Sequence, residues 1–230
     1  VVKAFGLQAA VRLVDWSALV TARGFLDALN LEYIVATPYQ LSTLVNGGFP
    51  AVRVAGPEKD VLFSNPQRMG TAWVNYTARV IEDQDALRRY VLGPNFDPHS
   101  EVVLEKPPRG RYDTTGAHRA TTIQSERRPS PTELELEVRL RRPGILVVSE
   151  SAYPGWDAEV NGQKTETMRV NYVLRGIELP PGSHRVRFVY RPAGFRIGLL
   201  LSALGVAGVA LLGFVVVRRR RATPAERLAA

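Results

Sequence analysis

Residues 197–217 read IGLLLSALGVAGVALLGFVVV, 21 residues without a charge. Wound as a helix at 1.5 Å per residue, the run reaches about 31 Å, which matches a bilayer's hydrocarbon core. A core helix of a soluble domain keeps a polar face, and this run has none, so it is expected to cross a membrane. Its position near the C-terminus, without the ordered regions of a leader, excludes a signal peptide. Arg218, Arg219, Arg220 and Arg221 follow directly, and such clusters favour the cytoplasmic side. The expected topology places residues 1–196 outside the cell and a basic tail, 218–230, within it.

That topology changes the meaning of the formal charge of +8. The tail carries five Arg and one Glu, net +4, half of the total. The rest of the chain is only mildly basic and lacks the basic stripe with interleaved aromatics expected of a nucleic-acid binder. There is no cysteine, which removes disulfides, thiolate catalysis and cysteine zinc sites. Stability is left to core burial, and 196 residues suffice to bury roughly 70% of the unfolded chain's surface. The chain begins at Val1 and its two methionines, Met69 and Met168, are internal, so it is expected to be a piece of a longer or processed protein.

The first part alternates helical and strand signals. SALVTARGFLDAL, from Ser17, has a Ser cap and helical spacing weakened by Gly24. LEYIVA, from Leu31, is a strand, and a short helical turn after Pro38 closes at Asn46-Gly47-Gly48. AVRVA and DVLFS flank Gly56-Pro57-Glu58-Lys59 as a hairpin. TAWVNYTARVI, from Thr71, alternates as one strand, EDQDALRRYVL is a helix with acids first and arginines last, and EVVLE is a strand. Residues 106–122, rich in Pro, Gly and Thr, form the expected joint.

Beyond it the pattern is all β. TELELEVRLRR sets Leu134, Leu136, Val138 and Leu140 against charges, and GILVVSES, WDAEVNG, TETMRVNYVLRGIEL and HRVRFVYRP follow between Pro-Gly and Asn-Gly corners. The expected fold class is α+β: a mixed α/β region (1–120), an antiparallel β-sandwich (121–196), one transmembrane helix (197–217) and the tail (218–230).

Several motifs of the second half stand in a specific order. They are Tyr153-Pro154-Gly155-Trp156, then Arg169, Asn171, Tyr172 and Arg175 on one strand. Pro181, Gly182, His184 and Val186 follow in a hairpin, and Tyr190 and Pro192 stand before the apolar helix. This order resembles the C-terminal end of the bacterial membrane protein YfhO family. LDALNLEYIVA and ALRRYVLGPNFDPHSEVVLE resemble the same family's juxtamembrane part, whereas NPQRMGTAWV departs from it, with Met69-Gly70-Thr71 where a Pro-Arg pair is expected. The resemblance implies a multi-pass glycosyltransferase of the bacterial cell membrane. Its partners would be a polyprenyl-phosphate-linked sugar and an envelope polymer, with the catalytic carboxylate in an early extracytoplasmic loop. No catalytic residue can be carried onto this chain, so a non-catalytic C-terminal portion is expected. Nothing in the residues calls for a cofactor or a metal. The alternative, from the residues alone, is a single-span β-sandwich that binds carbohydrate or a protein partner.

Two candidate contacts arise. Tyr153 and Trp156 could stack on sugar rings with Asp157 binding hydroxyls, although Pro154-Gly155 equally makes a plain β corner capped by aromatics, which the turn chemistry favours. Arg169, Asn171 and Arg175 could line a phosphate site, since guanidinium forks suit phosphate, against a strand kink with solvated arginines. His99, His118 and His184 lack ligand spacing. Asn75-Tyr76-Thr77 fits a glycosylation sequon but falls within a strand. On the apolar helix Gly198, Ser202 and Gly205 share a face suited to packing against other helices.

Overall fold

The computed structural model describes residues 16–55, 60–110 and 123–222. Residues 56–59, expected as a turn, most of the expected joint, His118 and the end of the tail lie outside them. The fold is α+β, dominated by strands.

The stretch expected as one helix from Ser17 is two, α1 (Trp16–Thr21) and α2 (Arg23–Ala28). The Thr21 hydroxyl donates back to the Ser17 carbonyl at 2.8 Å, a bond that competes with regular helix. Gly24 has a packing reason to be there: a Cβ at this position would fall 2.0 Å from the Phe96 carbonyl oxygen. Gly24→Ala is therefore expected to lower stability by about 1–3 kcal/mol through backbone displacement, read as an earlier unfolding midpoint in denaturant.

A three-stranded antiparallel sheet follows, built from β1 (Tyr33–Ala36), β2 (Ala51–Ala55) and β3 (Asp60–Ser64) in the order β1-β3-β2. Between β1 and β2 lie a 3-10 turn, Pro38–Gln40, and α3 (Leu41–Asn46). Ile34, Ala36, Val61 and Phe63 turn inward with Leu44 and Phe49 to form a small core of their own, as period-two alternation requires.

The larger body is two sheets. β7 (Ile123–Ser130), β8 (Glu133–Leu140), β10 (Trp156–Val160), β11 (Gln163–Thr165) and β14 (Gly182–Tyr190) form a five-stranded sheet ordered β11-β10-β14-β8-β7. The other sheet has six strands, β4 (Ala72–Asn75), β5 (Ala78–Val80), β6 (Val102–Leu104), β9 (Gly144–Ser151), β12 (Met168–Val170) and β13 (Leu174–Leu179), ordered β4-β9-β13-β12-β6-β5. It draws three strands from before residue 110 and three from residue 144 onward, so a division at residue 120 does not separate the sheets. Leu134, Leu136, Val138 and Leu140 of one sheet pack on Leu146, Val148, Ile177 and Leu179 of the other. These facing alternations are what hold a sandwich together.

The run from Thr71 does not make one strand. It breaks at Tyr76-Thr77, and its two halves lie on opposite edges of the six-stranded sheet: β4 antiparallel to β9, β5 parallel to β6. Three virtual bonds separate Asn75 from Ala78, at most about 11 Å, whereas the edges of a flat six-stranded sheet would be about 24 Å apart. The sheet must therefore curl. A second core gathers Trp73, Val102, Leu104, Ile145, Val147 and Leu174 of this sheet, together with Ala28 of α2 and Leu87 and Val91 of α4 (Gln84–Val91). The Asp83 carboxylate caps α4 by accepting from the Ala86 N–H at 2.7 Å. Because β9 is buried on both faces from Gly144 to Val148, that part of its sequence is a continuous apolar run.

The last helix, α5 (Ala193–Ala222), has 30 residues. Its stretch Ile197–Arg218 is long and apolar enough to cross a membrane, and none of it is buried against the sheets.

Candidate functional site

Two of the residues singled out in the sequence, Trp156 and Arg175, meet at one end of the sandwich. Trp156, Glu150, Arg175 and Phe188 come from four strands, yet all stand in phase with residues of the core between the sheets. Arg175 is only 1% exposed. Its Nη2 donates to Glu150 Oε2, its guanidinium carbon lies 3.7 Å over the Trp156 ring, and Phe188 is 5.3 Å away. Nε and Nη1 have no hydrogen-bond acceptor, and the aromatic faces supply cation–π attraction instead. Burial lowers the pKa of this guanidinium, and the Glu150 charge opposes the shift. Glu150 also receives Arg128, at 2.5 Å.

This arrangement bears on both candidate contacts. One face of the Trp156 ring is covered by Arg175, and Tyr190 stands beside it with ring centroids 5.2 Å apart. Tyr153 presents the open ring of the corner, 65% exposed. Asp157 is half-exposed and lies 3.7 Å from Arg191. Gly155, at φ +106°, tucks the corner against the chain's exit from β14: its carbonyl accepts from the Arg191 N–H at 2.6 Å, and a Cβ there would sit 3.1 Å from the Pro192 Cα.

Arg169, Asn171 and Arg175 belong to the β12–β13 hairpin, in which Arg169 and Arg175 are register partners. The stretch from Thr165 to Leu179 is thus not one strand. Asn171 and Tyr172 turn it, both with positive φ, +47° and +73°. Asn171 is fully buried, and its Oδ1 accepts from the Val103 N–H while its own N–H donates to the Val103 carbonyl, each at 2.8 Å. The side chain thereby extends the ladder through the turn. Arg169 is exposed and paired with Glu105, with Gln84 at 3.3 Å. So the three take different partners: a carboxylate at the surface, a backbone amide in the core, and a carboxylate among aromatic rings.

A groove of about 490 Å³ opens on the other side of this hairpin, between residues 104–109 and 165–169 with Glu178. Apart from Lys106, its charged side chains are already matched. Arg109 meets Glu166 at 2.5 Å, Arg169 meets Glu105, and the backbone N–H groups of Arg109 and Gly110 donate to Glu178. An anionic ligand would meet Lys106 and would otherwise have to exchange these partners, and neutral hydroxyls would fit beside them.

Tyr90 donates to Glu101, which also accepts from Arg79 at 2.8 Å. Burial and the Glu101 carboxylate push the Tyr90 phenol up to about 12, so it stays protonated and cannot serve as a base near neutral pH. His99 contacts the Gln67 carbonyl and His184 the Pro180 carbonyl. Among the described residues no group of three or more His, Asp or Glu is placed to hold a metal. Asn75 is buried between the Trp73 indole N–H and the Pro98 carbonyl, which closes its sequon to modification in the folded state.

Comparison with protein families matches residues 112–202 to the family described as bacterial membrane protein YfhO. The match contains every strand from β7 to β14 and the first turns of α5. Comparisons with curated proteins and with solved structures gave no match.

Proposed function

Taking as premise that residues 112–202 belong to the YfhO family, we propose that the chain is the C-terminal extracytoplasmic region and last membrane helix of a multi-pass glycosyltransferase. The donor would be a polyprenyl-phosphate-linked sugar and the acceptor a cell-envelope polymer, with the chemistry in a portion that precedes this chain. The observation that carries the proposal is the span of the family match, which runs unbroken from the sandwich into the membrane helix. In this reading the ectodomain shapes access to the site, and the small face of α5, with Gly198, Ser202 and Gly205, packs on other helices of the same protein. The test is transfer of radiolabelled sugar from polyprenyl phosphate to envelope polymer. Membranes carrying the whole gene product are expected to transfer, and purified residues 1–230 are expected not to. Turnover by residues 1–230 alone overturns the assignment.

A second reading is favoured by the groove beside the β12–β13 hairpin, whose volume falls in the range of small-ligand sites. Here the chain is a membrane-anchored sandwich that holds carbohydrate. It requires heat on titrating envelope glycans into the chain in micelles, abolished by Arg109→Ala with Arg169→Ala. A flat titration removes it.

A further inference from the structure

We propose that the corner around Tyr153 is a second membrane contact, lying in the headgroup layer of the bilayer that α5 crosses. The inference does not rest on the transferase reading.

Its first support is mechanical continuity. Trp156 and Tyr190 are register partners, the Arg191 N–H donates to the Gly155 carbonyl at 2.6 Å, and a Cβ on Gly155 would sit 3.1 Å from the Pro192 Cα. Helix α5 begins at the next residue, Ala193, so the corner and the start of the helix are held as one piece.

The second support is height. The apolar span begins at Ile197, five residues beyond Pro192, about 7.5 Å of helix. Headgroups occupy about 5–7 Å on each side of the hydrocarbon core. Pro192, and Gly155 against it, therefore lie at the outer margin of that layer, and a tyrosine two residues from Gly155 is within reach of it.

The third is chemistry. Tyr153 is 65% exposed and Phe195, in the first turn of α5, is 71% exposed, with Trp156 and Tyr190 partly buried between. Aromatic rings, above all those with a polar edge, concentrate at membrane interfaces. Arg191, half-exposed and shared loosely between Asp157 and Glu159 at 3.7 and 3.9 Å, stands where lipid phosphates lie. A helix alone leaves the sandwich free to tilt; a second contact beside it fixes the tilt.

The chain has no cysteine, so single thiols can carry an environment-sensitive fluorophore. Ser151→Cys places it beside the corner, where the Tyr153 N–H meets the Ser151 carbonyl. Ser183→Cys, exposed near the start of β14, is seven residues from Tyr190, about 23 Å along the strand. Each labelled chain is reconstituted whole in phosphatidylcholine vesicles containing lipid spin-labelled at the headgroup. The expected result is blue-shifted emission and quenching at position 151, with water-like emission and no quenching at position 183. On the Ser151→Cys background, Tyr153→Ser should lose most of the quenching and Tyr153→Trp should keep it. Water-like emission at position 151 in the otherwise unaltered chain overturns the proposal, as does quenching unchanged by Tyr153→Ser. Emission at position 151 that answers added glycan but not labelled lipid assigns the corner to carbohydrate instead and equally overturns it.

Discussion

Replacing Arg175 by alanine is expected to cost about 3–5 kcal/mol of stability, the range for breaking a buried ion pair. The substitution empties the space between Trp156 and Phe188 and leaves Glu150 facing that gap with Arg128 as its partner. Glu150→Ala should cost as much, because it leaves a buried guanidinium beside rings with no carboxylate. Arg175→Met behaves differently, since a long apolar side chain fills the same space and needs no counter-charge. It should lie within about 2 kcal/mol of the native chain, as apolar replacements of buried pairs commonly do. Denaturation of the chain in micelles, followed by tryptophan fluorescence, ranks the three. The series also decides what Arg175 is for. On the transferase reading, a structural arginine gives a stable methionine variant whose whole protein still transfers sugar, and a phosphate-binding arginine gives a stable variant that does not.

The second large effect belongs to Asn171. Alanine there removes the acceptor of the Val103 N–H, worth about 1–3 kcal/mol when a buried donor is left unpaired. It also puts an ordinary Cβ in a left-handed conformation that asparagine tolerates better, at about 1 kcal/mol more. A total of about 2–4 kcal/mol is expected for Asn171→Ala. Glycine relieves the conformational part alone, so Asn171→Gly should recover about 1 kcal/mol of that loss. Equal losses for the two variants would show that the turn carries no strain. Amide exchange at Val103 reads the lost bond directly.

Both residues show what could be read in the sequence and what could not. Strands such as β8 were legible because one face is wet, and Leu134, Leu136, Val138 and Leu140 repeat at period two. The apolar helix was legible from length alone. Arg175 looked like a surface cation because arginine is one, yet it stands in phase with Ile177 and Leu179, which face the core. That phase was the available signal. Asn171 suggested a strand kink, but the alternating residues on both sides hide that the break is a turn held by a partner 68 positions away. The break in the run from Thr71 was hidden for a related reason. Its alternation continues through Tyr76-Thr77, and only the choice of neighbouring strands, β9 on one side and β6 on the other, divides it. Local pattern reports which face a residue takes, while pairing depends on chain that lies far along.

The curled sheet also sets an order of events during synthesis. Ala72 pairs with Val148, so β4 has no strand to meet until 76 further residues have been made. At about 5–20 residues per second that is a delay of roughly 4–15 s. Through it Trp73 and Val74 have no sheet partner, and β9, which supplies one, has in turn to await β13. Leu179, at the end of β13, comes only 18 residues before Ile197. The strands of the first half that join the six-stranded sheet thus finish pairing at nearly the moment the apolar helix leaves the ribosome, and a chaperone acting on the nascent chain would find a long-lived client surface in β4.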